Sequence, residues 1–153
     1  MTDNLNETKH TTLKEELESG RNVTFFTVGC SMQPLLIERQ THVMLSPIKD
    51  GVKKYDIVLY IRPEGTHVLH RCVKVMDGYC LMRGDNTYYL EKVDNELMIG
   101  VVTHIYRKGK MIDVKKSKSY RFYSVLWTNT YGLRHFILRA GRKIKRWIRK
   151  IKE

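Results

Sequence analysis

Three features of the 153-residue sequence predict a mainly β fold. Apolar runs of strand length recur, as in Val23–Val28, Tyr55–Ile61 and Tyr79–Arg83. Turn dipeptides punctuate them, notably Asp50-Gly51 and Asp77-Gly78. No segment of helical period separates the runs, which is the pattern of a small β domain rather than of βαβ units.

The elements follow in order. Residues 1–10 are polar and read as a disordered lead. Thr11 to Ser19 reads as a short helix, with Thr12 as N-cap, Glu15 three residues on, Leu13 and Leu17 on one face, and Gly20 as the stop. Val23 to Val28 is the first strand, and Pro34 is expected to send the chain onward in extended form. Thr41 to Leu45, Tyr55 to Ile61, Thr66 to Met76, Tyr79 to Arg83 and Leu97 to Arg107 are further strands, and Met111 to Val114 closes a final hairpin. This divides the chain into a lead (1–22), a β domain (23–116) and a tail (117–153).

The tail has a different character. Residues 1–104 hold 12 Lys/Arg and 14 Asp/Glu, whereas residues 105–153 hold 16 Lys/Arg and 2 Asp/Glu. From Leu133, the apolar residues Phe136, Ile137, Ala140, Ile144, Trp147, Ile148 and Ile151 fall on one helical stripe opposite a basic face. Three occupants suit such a helix: an anionic membrane surface, the β domain itself, or nucleic acid. The clean stripe favours the first two. Tyr120, Phe122, Tyr123, Trp127 and Tyr131 are aromatics suited to the headgroup level.

Several classes are set aside. Cys30, Cys72 and Cys80 are odd in number and lack a CxxC pair, so neither a disulfide framework nor a zinc site is expected. No metal-ligand spacing and no Gly-rich phosphate loop is present, so no cofactor is expected. No apolar stretch reaches the roughly 20 residues of a spanning helix, and the N-terminus lacks the apolar core of a signal peptide. The expected location is the cytoplasm or the periphery of the cytoplasmic membrane.

The chemistry centres on Gly29-Cys30-Ser31-Met32-Gln33-Pro34. A serine on a tight turn after a strand has its hydroxyl exposed and its own N–H beside it, as a nucleophile with an oxyanion donor requires. It needs a base. His70, inside the apolar run Val68–Val75, is the candidate, since an imidazole accepts and returns a proton near neutral pH. His10, His42, His67, His104 and His135 have no comparable setting. Asp85, in Arg83-Gly84-Asp85-Asn86, could orient the imidazole, and Glu91 is a second candidate.

In chain order these segments are GCSMQP, KKYDIVLY, HVLHRCVKV, LMRGDN and MIGVV. The series resembles the boxes of the signal peptidase I family and its LexA-like relatives over roughly residues 23–104. The resemblance implies a serine endopeptidase on a compact β-barrel-type fold, with Ser31 as nucleophile and its backbone N–H in the oxyanion hole. His70 followed by Arg71 is similar to the archaeal and endoplasmic-reticulum type, where the bacterial type has Lys. Lys74 would be a base only in a shifted register. Tyr55 stands where the family has Gly, and Gly29 where many members have Ser. The implied substrate is an extended peptide or precursor protein added as a strand beside Val23–Val28 or Tyr55–Ile61. Two further readings share the fold: a LexA-like self-cleaving regulator, and a non-catalytic peptide-binding or membrane adaptor.

Overall fold

The computed structural model describes residues 13–133. The lead, the Thr12 cap and the helix expected beyond Leu133 lie outside the described residues.

Residues 13–18 form a short helix, α1, which Gly20 ends in the left-handed conformation. Leu17 on this helix is buried to 1% exposure in the core, so residues of the lead contribute to the body. Eight strands follow: β1 (Val23–Phe26), β2 (Thr41–Ser46), β3 (Ile57–Ile61), β4 (His67–Val75), β5 (Tyr79–Arg83), β6 (Glu91–Asp94), β7 (Met98–Arg107) and β8 (Lys110–Asp113). Helix α2 (Lys118–Asn129) comes next, capped by the Ser117 hydroxyl, which accepts from the Tyr120 N–H.

The strands form one antiparallel sheet in the order β1-β2-β7-β3-β4-β5-β6, with β8 attached to β7. The long β7 joins its two halves. Its Val101–Arg107 stretch pairs with β2, while Met98–Val101 pairs with β3 and His104–Arg107 with β8. The sheet is not a closed barrel, which corrects the barrel-type expectation. Closure needs long tilted strands whose edges meet. Here the two edge strands, β1 and β6, have four residues each and do not pair with one another.

The two faces of β3 and β4 bury different clusters, as the two-residue period of a strand requires. Ile57 and Leu59 join Leu17, Leu36, Val43, Leu45, Val102 and Ile105. Val58 and Tyr60 join Cys72, Cys80, Met82 and Val93. Fully burying an aliphatic side chain of this kind contributes about 1.5–3 kcal/mol, so these clusters hold the sheet rigid beneath the site.

Two expectations shift in detail. β6 is a strand the pattern did not suggest. The segment after Ser31 is not extended: it turns, with a cis Gln33–Pro34 bond and the Leu36 N–H donating to the Met32 carbonyl. Burial of Met32 and Leu36 draws this loop back onto the core. Asp50-Gly51 lies, as expected, in a turn, between strands that β7 separates. No helix among the described residues is long and apolar enough to cross a membrane.

Candidate active site

The serine turn is shaped from both ends. Thr27, buried after β1, donates its N–H to the Thr41 carbonyl and accepts from the Arg39 N–H. Gly29 then takes φ +86°, which an L side chain rarely adopts, and reverses the chain before Ser31. On the far side, the Asn86 N–H donates to the Ser31 carbonyl at 2.7 Å, and Asn86 Nδ2 donates to the Cys30 carbonyl at 3.2 Å. Ser31 is half-buried, and among the described residues neither its hydroxyl nor its N–H has a hydrogen-bond partner.

Gly84 makes the approach possible. A Cβ there would lie 2.6 Å from the Ser31 carbonyl oxygen and 3.0 Å from His70 Nε2. Both atoms therefore border the volume that glycine leaves empty.

His70 is buried to 2% exposure on the β4 face that carries Cys72. Its Nδ1 lies 3.0 Å from the Tyr60 hydroxyl, which donates to Glu91 Oε2 at 2.7 Å. Glu91 is held by Arg62 through Nε and Nη2, at 2.6 and 2.9 Å. The register places these groups together. Val58 faces His70, so Tyr60 is its diagonal neighbour on the same face, and Glu91 enters that face from β6 opposite Met82.

The electrostatics determine the tautomer. Arg62 holds the Glu91 carboxyl below its ordinary pKa, and the Tyr60 bond adds to this, so Glu91 is ionised and accepts only. Burial, with the Glu91 charge beside it, pushes the Tyr60 phenol up, so its single proton stays and goes to Glu91. The Tyr60 oxygen can then only accept from His70, and Nδ1 carries the imidazole proton. Nε2, at Gly84, is the free acceptor. Burial lowers the His70 pKa from 6.5 to about 4, with Glu91 partly opposing it, so the ring is neutral at pH 7.

Asp85 has a different place. It receives Arg71 Nε and Nη2 at 2.8 and 2.7 Å, and the Tyr123 hydroxyl at 3.1 Å. Arg71, one residue after His70, points to the opposite face. There it also donates to the Tyr55 carbonyl, the Tyr120 hydroxyl and Ser124 Oγ. Trp127 Nε1 donates to the Asp85 carbonyl. So Glu91, through Tyr60, is the carboxylate linked to His70, and Asp85 is bonded to Arg71 and α2. Four of the five aromatics expected at a headgroup level are instead turned inward or bonded. Tyr120 is buried, Tyr123 and Trp127 meet Asp85, and the Tyr131 hydroxyl donates to the Tyr88 carbonyl.

Ser31 and His70 line one groove of about 760 Å³. Its walls are largely apolar, with Phe25 and Phe26 of β1, Leu36, Leu59, and Val68 and Leu69 of β4. Among the described residues the outer edge of β1 has no strand partner, whereas β3 is paired on both sides by β4 and β7. Strand addition beside Tyr55–Ile61 is thereby closed, and β1 remains as the available edge. Lys74 is exposed on β4, and among the described residues no lysine lines the groove. Of the other histidines, His67 lines the groove, His42 packs against the Phe26 ring, and His104 lies 3.8 Å from Asp113. His10 and His135 lie outside the described residues. The three cysteines are free, with Cys30 exposed and Cys72 and Cys80 buried. No cluster of metal-ligating side chains occurs among the described residues.

Tyr60 and Arg62 are members of the site that motif reading missed. The available signal was Tyr60 in an otherwise aliphatic strand, because a buried phenol needs a hydrogen-bond partner. No protein-family model matches the chain, and neither the curated proteins nor the solved structures contain a match.

Proposed function

We propose that this chain is a serine endopeptidase of the kind its motifs resemble, signal peptidase I with a histidine base, and that it cuts an extended peptide or a precursor protein. The observation that carries the reading is the run Arg62–Glu91–Tyr60–His70, which leaves Nε2 as a neutral acceptor beside the Ser31 turn.

The substrate lies along β1, adding a strand to its free edge and placing apolar side chains in the groove. His70 Nε2 takes the Ser31 hydroxyl proton as Oγ attacks the scissile carbonyl. The developing oxyanion meets the unengaged Ser31 N–H. The imidazolium formed is stabilised by the Tyr60 hydroxyl, itself polarised by Glu91. Nε2–H then protonates the leaving amine and the C–N bond breaks. Water, activated by the same nitrogen, hydrolyses the acyl-serine ester and restores the hydroxyl. Asp85 takes no proton in this scheme. Through Arg71 and α2 it fixes Gly84 and Asn86, which position the serine turn.

The test is labelling with a serine-directed phosphonate, with the adduct located by peptide mass spectrometry. Modification of Ser31 that disappears in Ser31→Ala and His70→Ala is the expected result. A labelled His70→Ala protein, or an unlabelled wild type with native circular dichroism, overturns the assignment.

A further inference from the structure

We infer that the outward face of α2 docks on an anionic lipid surface. The inference does not depend on the peptidase reading.

Helix α2 reverses the usual order of a surface helix, with polar groups on its buried face and apolar side chains on its exposed one. Tyr120, Ser124 and Thr128, four residues apart, are buried against the sheet. The opposite face carries Phe122, Val125 and Leu126, and Leu133 follows at the same spacing. Phe122 is 70% exposed and Leu133 64%. A soluble surface seldom leaves such residues contiguous without a partner.

Charge selects the partner. The sequence of α2 has no acidic residue, and Lys118 and Arg121 are exposed beside Phe122. Residues 134–153 add nine Lys/Arg against one Glu, interleaved with Phe136, Ile137, Ile144, Trp147, Ile148 and Ile151 at helical spacing. Protein–protein interface cores are depleted in lysine, and a nucleic-acid phosphate makes no use of an exposed Phe and Leu. A bilayer of anionic lipid takes both: acyl chains receive the apolar strip and headgroups the cations.

The test uses the full chain with vesicles of phosphatidylcholine alone or mixed with phosphatidylglycerol, read by co-sedimentation. The expected result is binding to the mixed vesicles only, weakened at least about tenfold by the double change Phe122→Ser, Leu126→Ser. These side chains point away from the sheet, so circular dichroism and the urea midpoint should match wild type. Three results overturn the inference. One is unchanged vesicle binding by the double variant. Another is tighter binding to duplex DNA that the variant retains. The third is a lowered urea midpoint without a vesicle effect, which would mean that residues 134–153 cover this face themselves. Ser31→Ala should bind vesicles as wild type does, so failure here leaves the phosphonate experiment unaffected.

Discussion

The Tyr60 hydroxyl and His70 Nδ1 are 3.0 Å apart, and because the phenol proton goes to Glu91 the imidazole must be the donor. A tyrosine thus occupies the place between imidazole and carboxylate. The His70–Glu91 separation of 3.9 Å is too long for a direct hydrogen bond.

Tyr60→Phe removes that bond with little change of shape. A positioned base contributes about 10²–10⁴-fold to rate, and this variant loses part of its positioning. We expect kcat/KM on a cleavable peptide to fall by roughly 10- to 100-fold while the melting temperature changes by only a few degrees. An unchanged kcat/KM would remove Tyr60 from the mechanism.

Acid should affect this site at unusually low pH. His70 titrates at 6.5 when unfolded and at about 4 when folded. The unfolded chain therefore binds more protons in that window, and stability falls as pH drops from 6.5 towards 4. At about 1.4 kcal/mol per unit, the loss is of the order of 3 kcal/mol, read as the urea midpoint against pH. From about pH 4.5 downward the depressed Glu91 pKa removes more stability in the same direction. The acid limb of kcat/KM should fall well below pH 6. A limb near 6.5 to 7 contradicts a buried neutral base.

Gly84→Ala is a small change with a directed consequence. Its methyl would sit 2.6 Å from the Ser31 carbonyl, so the serine turn or the His70 ring must move. A displacement of about 1 Å can cost about 10²-fold in rate. Loss of phosphonate labelling at Ser31, with a urea midpoint that falls far less than for Asp85→Ala, is the expected signature.

The two carboxylates should separate by assay. Asp85→Ala leaves Arg71, 1% exposed, without its ion-pair partner. Breaking such a pair costs about 3–5 kcal/mol, which urea denaturation would show. Glu91→Gln acts on a partly exposed group and should reduce kcat more than stability. The opposite pattern would exchange the roles given to them.

Most of the sheet was legible because turn chemistry and strand period are local. β5 matches residue for residue, and β2, β4, β7 and β8 differ by a residue or so at their ends. β6 was missed because Glu91-Lys92-Val93-Asp94 has one apolar residue and depends on pairing with β5. The division of labour between Asp85 and Glu91 was not legible. It depends on which face each occupies, and that is a matter of register. The docking of α2 was hidden too, because its inward residues include Ser124 and Thr128, polar types that a hydrophobic pattern places outside. Tyr55, where the resemblance has glycine, does adopt φ +81°. The backbone requirement was readable in the motif even though the residue departs from it.

The position of α2 in the chain affects when the site is complete. Synthesis delivers β1 to β8 first, with Ser31, His70 and Glu91 among them. Until residue 129 has left the ribosome, Arg71 lacks Tyr120 and Ser124, and Asp85 lacks Tyr123 and Trp127. The turn that positions the serine then has no backing, so in a nascent chain the Ser31–His70 site is not yet assembled. A chain stopped after Lys116 should accordingly be nicked near residues 84–90 by an added protease sooner than the full chain is. Equal rates of nicking would show that the turn holds its shape without the helix.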